Sequence, residues 1–77
     1  MITQSQYFRF VQSRNEEAYR LGLRKGQTYF NVLHEHCPDL ASAITGTPND
    51  PFHVSDAEFD NSLNMKNFFN FIDKNLK

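Results

Sequence analysis

Three histidines and a single cysteine are the side chains with the greatest chemical reach in this 77-residue chain. His34, His36 and Cys37 are nearly consecutive, and His53 follows in the next segment. A zinc site needs three or four such donors converging at about 2.0 to 2.3 Å. On a helix, positions 34 and 36 diverge by about 200°, so both reach one ion only if the helix ends between them. No second Cys-x-x-Cys or widely spaced His pair supplies the missing ligands, and neither metal nor cofactor is expected. Cys37 beside a histidine also has the makings of a thiol nucleophile. A position at a helix C-terminus disfavours the thiolate, and no oxyanion site is spelled nearby. The residues read as a packed cysteine with partly exposed histidines, and no enzyme is expected.

Arg24, Gln27 and Asn31 are spaced three and four apart, which places them on one polar ridge of a helix. Beside it run Leu23, Gly26, Phe30 and Leu33. The polar trio is expected to clamp a loop around Gly46 to Asp50, with Asp50 accepting from Arg24 and the loop's backbone groups satisfied. A pocket for a small ligand or a peptide carboxylate is the alternative use of the same groups. A second constellation is acidic: Asp50, Asp56, Glu58 and Asp60 gather around Phe52, Val54 and Phe59 without one basic residue. Aromatic anchors inside a charged rim are the usual anatomy of a docking face. Asp50, Phe52, Asp56, Glu58, Phe59 and Asp60 are the candidate binding residues.

The elements that must position these groups are helical. Thr3 can cap a first helix carrying Tyr7, Phe8 and Val11. A break is expected near Ser13 to Asn15, with Glu16 and Glu17 opening a second helix at its positive dipole end. That helix is expected to run to His36, with Tyr19, Leu23, Gly26, Phe30 and Leu33 as its apolar stripe. Gly26 inside it suggests a close crossing by another helix, since glycine there costs about 1 kcal/mol against alanine. Pro38 should end that helix and open a short third one through Ile44, with Gly46 at its C′ position. Residues 47 to 55 form a proline-bearing loop, Ser55 and Glu58 suggest a capping box, and a firm helix is expected from about Asn64. Its Phe68, Phe69, Phe71 and Ile72 cover more than one face, so at least one Phe fills a groove or meets solvent. No alternating strand pattern occurs. The expected fold is all-α, a single-domain bundle of three to four helices over residues 1 to 77, with an ordered Pro-rich loop.

Residues 24 to 52 resemble a family of small, functionally unassigned bacterial and phage proteins. The resemblance lies on Arg24, Gly26, Gln27, Phe30, Asn31, Leu33, Pro38, Leu40, Ala41, Ile44, Gly46, Thr47, Asp50, Pro51 and Phe52. It implies no particular activity. Relatives often follow the Asp-Pro-Phe with a short acidic turn, whereas Val54 to Met65 is longer here, which gives that surface room for a role of its own.

Composition narrows the function classes. Eight basic and nine acidic residues nearly cancel, so no net field draws nucleic acid or an anionic membrane. The charge is nevertheless blocked: Arg9, Arg14, Arg20, Arg24 and Lys25 lie in the amino-terminal half against Glu16 and Glu17, six of the nine acidic residues lie from Glu35 to Asp60 without a Lys or Arg, and Lys66, Lys74 and Lys77 close the chain against Asp73. One cysteine excludes an intramolecular disulfide framework and suits the cytoplasm. No apolar stretch approaches 18 residues, so no membrane partner is expected. With eleven Phe and Tyr, the core is built from few large pieces. The expectation is a small non-catalytic protein-binding module of phage or mobile-element origin that binds and inhibits or redirects a host protein, as monomer or homodimer. The alternative is a nucleic-acid-binding or transcription-modulating protein that uses the basic amino-terminal half.

Overall fold

The structure, a computed structural model, describes residues 2–77. Thr3 begins the first helix, α1 (Gln4–Arg20), through a reciprocal capping box. Its hydroxyl accepts from the Gln6 amide at 3.1 Å while its own amide donates to Gln6 Oε1 at 2.9 Å. The expected break at Ser13 to Asn15 does not occur. Weak helix formers there are tolerated because Val11 and Ala18 on either side are buried. The helix ends instead at Gly22, where φ is +75°. The Leu23 amide donates to Ala18 O at 2.9 Å and the Gly22 amide to Tyr19 O at 3.1 Å, which together make a Schellman motif.

The second helix, α2 (Lys25–His36), therefore starts nine residues later than the Glu16 start expected from periodicity. Pro38 ends it and opens α3 (Pro38–Ile44), and Gly46 follows at φ +74° as expected of a C′ glycine. A loop and one 3₁₀ turn at Asp56–Glu58 lead to α4 (Leu63–Asn75), capped by Ser62 accepting from the Met65 amide at 3.3 Å. Ser55 forms no capping box. Its hydroxyl donates to the Glu58 carboxylate at 3.0 Å, and no backbone amide is satisfied by its side chain. No strand occurs among the described residues. The fold is a small all-α domain, with a Cα radius of gyration of 11.4 Å, close to the roughly 11.5 Å of a compact chain this long.

Every helix contributes to one core: Tyr7 and Val11 from α1, Val32 and Leu33 from α2, Ala41 and Ile44 from α3, and Met65, Phe68 and Ile72 from α4, with Cys37 and Leu76 at helix ends. Leu33 is fully buried as expected, whereas Phe30 is half-buried and leans edge-on against Phe52, ring centroids 5.5 Å apart. Tyr7 is a polar group in this core, and its hydroxyl donates to Tyr29 O at 2.6 Å. Burial, with lesser contributions from Tyr29 and Cys37, pushes its pKa well above the ordinary phenol value, so it stays a neutral donor. Around it pack Phe8, Tyr29 and Phe68, and Phe69 and Phe59 extend the cluster from Tyr29, at centroid distances near those of favourable aromatic pairs.

One ion pair joins α1 to α2 among the described residues. Arg14 holds Glu35 through both guanidinium nitrogens, at 3.0 and 2.6 Å. Those hydrogen bonds, more than the bare charge, keep the Glu35 carboxyl below its ordinary pKa. A depressed folded value means that the contribution is complete above the unfolded pKa and is lost as pH falls through the folded one. Both side chains are nearly half exposed, so solvent screening limits the pair to under about 1 kcal/mol. Arg14→Gln should therefore flatten a small acid-side slope in stability between about pH 5 and 3 and leave neutral stability nearly unchanged. Urea midpoints measured across that interval check it, and an unchanged slope would mean that Glu35 titrates as in the unfolded chain.

Candidate functional site

The four groups suited to metal or thiol chemistry are kept apart. His36 stacks on Phe10 at 4.4 Å with planes 9° apart, His34 lies beside Phe30, and His53 meets the edge of Phe52. Cys37 is buried in the core. No three His, Cys, Asp or Glu side chains come together as a metal would require, among the described residues.

Arg24 and Asp50 do not pair, although both hold the loop. Arg24 Nη2 donates to the Phe52 carbonyl at 2.9 Å, and its guanidinium lies 5.7 Å from the Phe52 ring centroid. Its Nε is buried without a partner. Asp50 turns inward to its own loop and accepts from the Gly46 amide at 2.8 Å and the Phe52 amide at 2.9 Å. Its two oxygens thus close the loop on itself, a use that Asp side chains have in turns. Asn64 adds a bond from α4 to Asp50 O at 3.0 Å. Gln27 and Asn31 make no side-chain hydrogen bond to this loop; Asn31 faces the hollow beside α1. Gly26 does mark a close approach, but the Pro51 carbonyl comes there and no helix does. The clamp therefore consists of Arg24, Gly26 and Asp50, with Asn64 added from α4.

The acidic segment divides in the same way. Asp50 is buried, and Phe59 is half-buried between Tyr29 and Phe69 with the Lys25 ammonium 5.4 Å from its ring centroid. Asp56 accepts from the Lys25 amide at 2.8 Å, so it caps α2 from across the fold where Arg24 offers no side-chain cap. Contacts of this kind contribute about 1 kcal/mol. Glu58 and Asp60 are exposed, and Asp60 has no partner among the described residues. Of the amino-terminal bases, Arg14, Arg24 and Lys25 are engaged as described, which leaves Arg9 and Arg20 free among the described residues.

The surface that sequence periodicity misplaced is apolar. Tyr19, expected in the core stripe, is 85% exposed, and Leu21 is 67% exposed two residues on. They stand at the α1–α2 turn beside Leu23, which lines two adjoining hollows. The larger, about 290 Å³, is bounded by Tyr19, Glu16, Lys25 and Asp56. It is here that the acidic segment meets exposed apolar surface. The one local signal for this was Gly22, since glycine is favoured at the left-handed position that ends a helix, here at φ +75°. What the geometry defines is a small all-α domain with an apolar knuckle and an acidic flank. No family model matches the chain, and no curated protein or solved structure matches it either.

Proposed function

We propose that the chain is a small non-catalytic protein-binding module that docks on a host protein and inhibits or redirects it. One observation carries the reading: two large apolar side chains, Tyr19 and Leu21, stand exposed at a turn beside two hollows. Tyrosine is a favoured anchor because it adds area at little entropic cost, and neighbouring contacts exclude water around it. Asp56 borders the larger hollow, and Glu58 and Asp60 extend the acidic flank. The partner surface is accordingly apolar with a basic rim, and the flank sets association rate and orientation. The resemblance of residues 24 to 52 to small phage and bacterial proteins is what makes a bacterial host protein, in the cytoplasm, the partner proposed.

Affinity capture from bacterial lysate tests this with three proteins. Tyr19→Ser combined with Leu21→Ser should abolish capture of a partner held by the wild type, while circular dichroism stays unchanged because both side chains are exposed. Glu58→Lys combined with Asp60→Lys should slow association and make it less sensitive to salt. A partner retained fully by the Tyr19/Leu21 variant would remove the knuckle as the docking site.

A further inference from the structure

Of the phenylalanines on α4, Phe68 is fully buried and Phe69 packs against Phe8, Tyr29 and Phe59. Phe71 is half-buried and has no aromatic partner among the described residues. It lines a recess of about 250 Å³ with Asn49, Asn67, Asn70 and Lys74. At 100° per residue, Lys66, Asn67, Asn70, Phe71 and Lys74 fall within about 140° of one helix face. Neither lysine forms an ion pair among the described residues. Asp73, the one carboxylate on α4, accepts from the Gln4 side chain at 3.2 Å. Asn67 donates to Pro48 O at 3.1 Å, which fixes the loop wall of the recess and leaves its amide oxygen unused, while Asn70 is exposed.

These groups match the parts of a nucleotide. Half-buried Phe71 brings an aromatic ring to the recess for a base, the asparagine amides offer both donors and acceptors to base edges, and the lysines offer charge to phosphates. Stacking on an aromatic requires a base that is not already stacked and paired, so a duplex offers its phosphates to the lysines but no base to Phe71. We propose that the recess binds a single-stranded nucleic acid, with a base against Phe71 and phosphates on Lys66 and Lys74. The near-neutral total charge conceals this surface, because the carboxylates that balance these lysines lie mainly between Glu35 and Asp60.

Fluorescence anisotropy with short labelled oligothymidine, oligouridine and a duplex of equal length tests the proposal between about 50 and 200 mM salt. The wild type should bind the single strands, more weakly as salt rises, and bind them better than the duplex. A preference for oligouridine identifies RNA as the source and a preference for oligothymidine identifies DNA; either supports the site. Lys66→Gln with Lys74→Gln should lower the log–log salt slope by about 1.4, two phosphates at about 0.7 each. Phe71→Leu keeps apolar packing but removes the π face, and should weaken binding about fivefold or more. Asn70→Ala, an exposed change, should weaken it without altering the melting point. Arg9→Gln with Arg20→Gln should bind as the wild type does. Absence of single-strand binding at low salt, tighter binding of an acidic peptide than of either strand, or full binding by the lysine variant overturns the proposal.

Discussion

Gly26→Ala is expected to destabilise the protein by about 3 kcal/mol, the upper end of overpacking costs. Helix propensity alone gives the opposite sign, since alanine in a helix is favoured over glycine by about 1 kcal/mol. The difference comes from the Pro51 carbonyl, which occupies the space that a Cβ would need. Backbone oxygen yields poorly, because moving Pro51 also disturbs the Phe52 carbonyl held by Arg24 and the Val54 amide bonded to Pro51 O. Urea denaturation of the variant decides between the two signs. A variant as stable as the wild type, or more so, would place the loop farther from α2 than described.

Phe68→Ala is expected to cost about 3 to 5 kcal/mol. Phe68 is completely buried where α4 faces Tyr7 of α1 and Tyr29 of α2, so truncation opens a cavity shared by three helices. A chain this length has about 4 to 12 kcal/mol of stability in all. The variant should therefore be largely unfolded or melt far below the wild type. Phe30→Ala is the useful contrast: half-buried Phe30 should cost clearly less, and equal losses would mean that the two rings are equally enclosed.

The positions legible from sequence were those where one residue's covalent chemistry acts locally. Thr3 caps, Pro38 both ends α2 and starts α3, and Gly46 takes its positive φ, all without help from distant residues. The boundary between α1 and α2 was misread because Tyr19, Leu23, Gly26 and Phe30 keep helical spacing straight across it. Periodicity reports what a continuous helix would bury, whereas Gly22 with leucines on both sides reports where the helix stops. At this site the local signal prevails, and Tyr19 becomes surface. The candidate site was less legible for a related reason. Asp50 was expected to accept from Arg24 and Asp56 to belong to an acidic face, but each accepts backbone amides in the fold. The Asp50 amides are only two and four residues away, in its own turn, whereas the Asp56 partner lies 31 positions away, a pairing that no local pattern encodes.

The start of α2 depends on a part of the chain that is remote in sequence. Arg24 supplies no side-chain cap, the Asp56 carboxylate takes the Lys25 amide, and Pro51 lies against Gly26. The first turn of α2 and the segment from Pro51 to Asp56 are thus expected to open together, because neither keeps its partners when the other leaves. Slow amide exchange at Lys25 accordingly measures how seldom that segment lifts away, and says little about how good a helix former the sequence after Arg24 is.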